Sequence, residues 1–473
     1  MPKGVIEMKK TAIIYGSANT PLQKKALEIL SKYILEYTGA YPACFEYSKG
    51  TDTSDYRVFY IGTKENNPAL TSSLTHTEEY SITVKNDTVY IAGYDDLGVV
   101  YGCIDFYNKY ILKYEYPGDA EIFCVNPFEK PFEDFEYSSF PAVKDRGIWT
   151  WGHVIYDYKN FFENMLMLKM NTVTIWNDFV PVNGKDIVEY AHNCGIKVIW
   201  GYSWLWTTKC AERIKESLEK AYKSNYTEFI EKYEREYAHL GGDGIYFQSF
   251  TELKEDTIDG IVIADAVTDF VNNASKHFFG KYPELEIQFG LHATSVKQKL
   301  EYIEKVDKRI RIVWEDAGSF PFSYLPDDVE DFEETNELAK KIATLRGADD
   351  NFGVVTKGFT KLNWKIFEYA TGSFHIGTGT EFFKDNRVMN KRKVWKYFQS
   401  YWITNAPLAY KVIKTMADAK KGDLCITALV EDGMFEKDIM FPVALYSEML
   451  WDNNTDINKM INEVALRNYV TFA

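Results

Sequence analysis

The 473-residue chain is poor in the features that usually identify a cofactor or a nucleic-acid partner. Its six cysteines (Cys44, Cys103, Cys124, Cys194, Cys210 and Cys425) are widely spaced and form no CxxC pair. That spacing argues for reduced thiols over a disulfide framework or a zinc site. His153 and His292 stand far apart with no HxxxH or HExxH pattern, so no metal is expected. The only glycine cluster, Gly241-Gly242-Asp243-Gly244, is a tight turn before a strand and not a phosphate loop, so no cofactor is expected. A GxSxG turn for a serine nucleophile is missing too. There is no long Lys/Arg run, and the formal charge is −15, which excludes a nucleic-acid partner on electrostatic grounds. No stretch of eighteen apolar residues occurs, so no membrane span is expected. The amino terminus lacks the apolar core of a secretion signal, which makes a cytoplasmic location the expectation.

What the chain has in excess is aromatic residues. Tyr, Phe and Trp reach 16%, and several Trp occur in short motifs. Aromatic faces stack on the C–H faces of sugars, although they are also ordinary core material. Apolar residues at 46% and charged residues at 26% are normal for a globular chain, and the length calls for two or three domains.

The pattern along the chain predicts an α/β fold in three sections. Residues 1–135 read as a small α/β domain. Thr11–Tyr15 and Tyr56–Gly62 are strands, Pro21–Tyr37 has a helical apolar period, and Glu79–Ala92 is a hairpin turning at Asn86-Asp87. A helix follows whose amino end carries Asp95 and Asp96. Pro127 and Pro131 mark a linker. Residues 136–390 alternate strands and amphipathic stretches eight times, which predicts a (β/α)8 TIM barrel. The predicted strands are Asp145–Trp151, Thr172–Asn177, Lys197–Tyr202, Gly244–Ser249, Glu286–Leu291, Arg309–Trp314, Gly353–Thr356 and Phe374–Gly377. Residues 391–473 read as helices packing on the barrel.

In such barrels the chemistry sits where strands end and βα-loops begin. The predicted strand ends collect Trp151, Trp176, Asp178, Trp204, Glu252, His292, Glu315, Asp316 and Lys357. Aromatic platforms beside carboxylates and polar groups suit a sugar pocket, although strand ends in any barrel are polar and Trp often plugs a core. Glycosidic cleavage needs a protonated acid and usually a second carboxylate. Glu252 is the candidate acid, since Tyr246, Phe247 and Phe250 lie beside it in sequence and could raise its pKa by desolvation; its alternative role is a helix cap. Glu315 or Asp316 is the candidate partner, with strand alternation allowing only one of them to face the pocket, and Glu315 preferred. Strand 7 ends in Thr356-Lys357-Gly358 without a carboxylate, so inversion or participation by the substrate is expected over a strand-7 nucleophile. Lys357 would bind an anionic or acetamido sugar group.

These residues resemble a group of exo-glycosidases in which a small domain precedes a barrel: glycoside hydrolase families 67 and 115 (α-glucuronidases), 20 (β-N-acetylhexosaminidases) and 84. The segment Glu79–Cys103, above all Gly93–Gly102 (GYDDLGVVYG), is similar to the closing hairpin and helix of their leading domain. Phe140–Ile148 (FPAVKDRGI) is similar to the segment leading into their first barrel strand, and Met165–Asp178 and Asp186–Gly201 follow the same pattern. In family 20 the Arg of the Arg-Gly pair binds hydroxyls of the terminal sugar, which implies that role for Arg146. Where families 20 and 84 carry Asp-Glu and Asp-Asp on strand 4, this chain reads Gln248-Ser249-Phe250-Thr251-Glu252. Trp314-Glu315-Asp316 and Asn351-Phe352-Gly353 are similar to family 115. The resemblance therefore implies a glycoside hydrolase that removes a terminal sugar from oligosaccharides, on the α-glucuronidase side. The alternatives are a β-N-acetylhexosaminidase-like enzyme and a non-catalytic sugar-binding protein on the same scaffold; a barrel lyase or isomerase would rest on Lys357 alone. Sugar, linkage, stereochemical outcome and oligomeric state are left open.

Overall fold

A computed structural model describes residues 9–112, 126–151, 155–176, 180–181, 183–202, 229–248, 256–292, 295–316, 332–359, 381–430 and 435–467. The chain divides into two compact units, one of the residues up to Pro141 with Asn193–Gly195 and the chain from Ala465, and one of Ala142–His192 and Ile196–Val464.

The leading unit contains a six-stranded sheet in the order β2-β1-β3-β5-β4-β6. Its strands are β1 (Lys10–Tyr15), β2 (Ala43–Glu46), β3 (Tyr56–Thr63), β4 (Tyr80–Lys85), β5 (Thr88–Gly93) and β6 (Phe135–Ser139). Local chemistry sets these elements. The helix Pro21–Thr38 opens with a capping box, in which the Thr20 side chain accepts from the Gln23 backbone and Gln23 reaches back to Thr20. It stops at Gly39 in the left-handed region. The predicted hairpin forms between β4 and β5, with Asn86 and Asp87 both at positive φ, as a two-residue turn matched to strand twist requires. Asp95 caps the helix Asp96–Asp105 by accepting from the Gly98 N–H. The expected boundary at residue 135 needs correction: Phe135–Ser139 pairs antiparallel with β4 and belongs to this sheet.

The second unit is a closed eight-stranded parallel barrel. In chain order its strands are β7 (Asp145–Trp151), β8 (Thr172–Trp176), β9 (Lys197–Gly201), β10 (Gly244–Gln248), β13 (Glu286–His292), β14 (Arg311–Glu315), β15 (Phe352–Phe359) and β16 (Leu424–Val430). A short hairpin, β11 (Thr257–Ile258) and β12 (Ile261–Val262), precedes the helix Ile263–Lys281. Seven of the predicted strands match within a few residues. The eighth does not. The barrel closes through Leu424–Val430, which pairs with β15 on one side and β7 on the other. Phe374–Gly377 lies outside the described residues. The helix Glu381–Ala419 therefore belongs to the seventh strand-to-strand connection, and the expected division into a barrel ending at 390 and a separate helical tail does not hold. Two later helices, Phe441–Trp451 and Ile457–Arg467, follow the last strand. No described helix is long and apolar enough to cross a membrane.

Alternation along each strand sorts side chains into the barrel and onto its outer wall. Trp149, Trp176, Ile199, Tyr246, Val313, Val355 and Leu429 form one buried inner cluster. The rings of Trp149, Trp176 and Tyr246 meet edge to face at 5.6–5.8 Å, a favourable aromatic geometry. Gly201 makes room for this layer, because a Cβ there would lie 2.9 Å from Trp176 side-chain atoms.

The amino-terminal end of the barrel is plugged by charge. Asp145 pairs with Lys197 at 2.9 Å and with Arg311 at 2.8 Å, and Arg311 also meets Glu286 at 3.1 Å. Burial opposes ionisation of Asp145, but Arg311 and Lys197 outweigh it and hold the carboxyl down at about 2. A depressed folded pKa adds stability that is complete above the unfolded pKa near 4 and is lost as pH falls through the folded one. The contribution is on the order of 2 kcal/mol. Denaturant unfolding of Asp145→Asn should therefore show a shallower loss of stability than wild type between about pH 4 and 2. Parallel curves across that window would mean that the plug carries no such linkage.

Candidate active site

The opposite end of the barrel gathers a second polar group. Gln248 ends β10, His292 ends β13 and Glu315 ends β14, while Lys357 is the inward residue near the end of β15. All four belong to the inward set: Gln248 lies two residues beyond Tyr246, and Glu315 and Lys357 two beyond Val313 and Val355 of the inner cluster.

Glu315 is the centre of the group. Its Oε1 accepts hydrogen bonds from the Tyr246 hydroxyl and from Gln248 Nε2, and its Oε2 lies 2.9 Å from Lys357 Nζ. The residue is 0% exposed. Burial alone would push its pKa up, yet Lys357, His292 and the Tyr246 hydrogen bond together bring it below the ordinary glutamate value. Glu315 is thus an ionised carboxylate at neutral pH. Tyr246 titrates far above its usual range, through burial and then the adjacent Glu315 charge, so it remains a donor. Gly290 allows this geometry, since a Cβ there would collide with the Tyr246 hydroxyl. His292 is pushed down to about 4 by burial and then by Lys357, against the pull of Glu315. It faces the group as a neutral imidazole, able both to donate and to accept.

Asp316 has a different place. Its Oδ2 accepts from the Lys357 backbone N–H at 2.9 Å, and it is fully buried. Of the adjacent acids, Glu315 meets the inward Lys357 side chain and Asp316 meets the Lys357 backbone. Asp316 is a brace between β14 and β15.

Trp176, also expected at the pocket, belongs to the packed aromatic layer and is 5% exposed, leaving little face for a sugar. Trp151 ends β7, and its side chain lies outside the described residues, as do Asp178, Trp204 and Glu252.

Arg146 must be removed from the pocket. It is the second residue of β7, at the amino-terminal end of the barrel, and is 1% exposed. Its guanidinium donates to the carbonyls of Val143, Lys144 and Lys169 and lies over the Trp451 ring at 5.2 Å. The alternation that turns Trp149 inward turns Arg146 outward, and its position puts it at the wrong end. It ties strand ends to a helix and has no route to the carboxyl-end cluster.

Sequence reasoning missed Tyr246 and Gln248 as partners of Glu315. Their signal was the inward parity of β10, readable once Tyr246 is taken as a barrel-filling residue. Mislocating the last strand also hid Glu431 and Asp432, which follow β16 in sequence and lie outside the described residues.

No protein-family model and no curated protein matches the sequence. Solved structures do match the fold. A β-N-acetylhexosaminidase from Bacteroides fragilis superposes with a TM-score of 0.55 at 13% identity, over 98% of this chain and 91% of that one. A GH138 enzyme targeting pectin rhamnogalacturonan II gives 0.53 at 13% identity, over 95% of this chain and 65% of that one. A family GH115 4-O-methyl-α-glucuronidase with specificity for decorated arabinogalactans gives 0.51 at 13% identity, over 94% and 57%. This chain therefore spans less than two thirds of the length of the last two. At these identities what is shared is the fold.

Proposed function

We propose that this protein is a glycoside hydrolase that removes a terminal sugar from oligosaccharides by carboxylate acid/base catalysis, with an α-glucuronidase-like preference. The observation that carries the reading is the Glu315 cluster: an ionised, hydrogen-bonded carboxylate at the carboxyl end of a barrel shared with glycoside hydrolases. A cation-like transition state at the anomeric carbon is stabilised by a fixed negative charge in a water-poor site. Glu315 would supply that charge, Glu252 the proton for the leaving oxygen, and His292 a hydrogen bond to a substrate hydroxyl. Lys357 beside Glu315 offers a positive contact for an acidic or acetamido substituent. The glucuronide preference rests on Trp314-Glu315-Asp316 and Asn351-Phe352-Gly353.

A panel of aryl glycosides that includes glucuronides and N-acetylhexosaminides tests the proposal. Turnover of glucuronides above the others is expected. Turnover of N-acetylhexosaminides instead would move the assignment to the hexosaminidase side, and sugar binding without turnover of any glycoside would leave a binding protein. Trp204→Ala should weaken binding of the preferred sugar by about 1–2 kcal/mol if that ring stacks on it. Titration calorimetry showing unchanged affinity would assign Trp204 to the core.

A further inference from the structure

We infer that Glu315 and Lys357 together hold one hydroxyl of the terminal sugar, the Lys357 ammonium donating to it and Glu315 Oε2 accepting its hydrogen. The inference rests on the glycosidase reading and adds to it a feature by which the site recognises its sugar.

The two oxygens of Glu315 are used unequally. Oε1 accepts from Tyr246 and Gln248 of β10. Oε2 is buried and meets Lys357 Nζ at 2.9 Å as an ion pair, yet it accepts no hydrogen bond among the described residues. Lys357 is in the same condition. Its backbone N–H is committed to Asp316, while its ammonium, a threefold donor, has Glu315 as its one partner among the described residues. The Lys357 side chain is only 8% exposed. Buried donors and acceptors are as a rule hydrogen-bonded, and leaving one unmet is costly. An ammonium and a carboxylate oxygen side by side, each able to make further bonds, point to a ligand that completes both.

Strand register puts this pair on the side of the carboxyl end. Glu315 pairs with Val355 of the inner cluster, and Lys357 stands two residues beyond Val355, one inward position further along the barrel. Tyr246 belongs to the inner cluster itself. Oε1 is thus bonded back toward the packed layer, and Oε2 is turned toward Lys357. His292, partly exposed, borders the group.

Charge selects the ligand. Glu315 is an anion, Lys357 a cation, and Tyr246, Gln248 and His292 bring no charge at neutral pH. An anion seated between the pair would face the Oε2 lone pairs, and a cation would face the ammonium. A hydroxyl donates one hydrogen bond and accepts another, and both would be charge-assisted. A third ammonium hydrogen then serves an acidic or acetamido neighbour of that hydroxyl.

The full-length wild type, assayed on an aryl glucuronide and its 2-, 3- and 4-deoxy forms, tests this. If the panel selects an N-acetylhexosaminide, the 3-, 4- and 6-deoxy forms of that sugar take their place. One deoxy form should lose kcat/KM by about 10⁴-fold, because a buried donor and acceptor are left unmet, and the others far less. In Lys357→Met the same deletion should cost much less, since half of the clamp is already gone. Losses under about tenfold at every position would overturn the inference. A critical hydroxyl whose deletion costs the same in Lys357→Met would overturn it too. Lys357→Arg covers the case in which Lys357→Met does not fold: its planar fork aims the donors differently, so discrimination against that deoxy form should shrink, and unchanged discrimination counts against the clamp. Turnover by a wild type that is indifferent to every deletion leaves the glycosidase reading standing and removes this inference. If wild type cleaves no glycoside, that reading fails, and calorimetry with the methyl glucuronide and its deoxy forms reads the clamp alone. Affinity lost at one position supports it; equal affinities, or none for any of them, overturn it.

Discussion

Replacing Glu252 by Gln is expected to slow hydrolysis of a glycoside with a poor leaving group by about 10²–10⁴-fold, the usual contribution of a positioned general acid. The same change should affect an activated aryl leaving group much less, because that oxygen departs without a proton. A general acid must hold its proton at working pH, and Glu315 cannot, since Lys357, His292 and Tyr246 keep it ionised despite its burial. Asp316 is committed to the Lys357 backbone. Glu252 follows in sequence four residues after Gln248 of β10, the strand whose Tyr246 and Gln248 grip Glu315, and itself lies outside the described residues. Steady-state rates on a leaving-group series would decide the matter. A flat loss across the series would assign Glu252 to binding or folding, and no loss would point to Glu431 or Asp432 after β16.

Most of the barrel was legible because its strands announce themselves by alternation with amphipathic helices. Asp145–Trp151 and Lys197–Gly201 could be bounded almost to the residue. The eighth strand escaped for a physical reason. LCITALV is buried on both faces, so it reads as an apolar run, interrupted only by Thr427, with no period of two to distinguish it from helix. The 39-residue helix Glu381–Ala419 before it also far exceeds an ordinary barrel connection, so the rhythm had apparently ended.

The site was legible by position and less so by partner. Strand-end reasoning placed Glu315, His292 and Lys357 at one rim, but a rim residue can face inward or outward, and only a fixed parity tells which. Arg146 shows the cost of borrowing a role from a motif without that check. Once Trp149 is known to fill the barrel, Arg146 three positions earlier must face the outer wall. The same check applied to Trp314-Glu315-Asp316 sends Glu315 inward and Trp314 outward. Trp176 passes the parity test yet packs against Trp149 and Tyr246, because inward-facing aromatics in a barrel first fill its core.

Glu315→Gln should reduce turnover by about 10²–10³-fold, comparable to loss of one preorganised electrostatic contact in a catalytic site. Unlike Glu252→Gln, this loss should persist with activated leaving groups, because the missing charge acts on the sugar cation and not on the departing oxygen. Stability must be separated from chemistry. The substitution leaves the Lys357 ammonium buried beside a neutral amide, and breaking a buried pair from one side typically costs about 3–5 kcal/mol. Replacing both partners, as Glu315→Gln with Lys357→Met, removes the orphaned charge and should recover much of that stability, since exchanging a whole buried pair is often close to neutral. Denaturant unfolding of wild type, single and double variants measures the recovery, and single-turnover rates on the folded protein measure the chemistry. If Glu315 supplies the charge, the double variant refolds toward wild-type stability while its rate stays low. A double variant that regained wild-type turnover would show that Glu315 serves only the packing of the barrel, and the catalytic carboxylates would then have to be sought elsewhere on its rim.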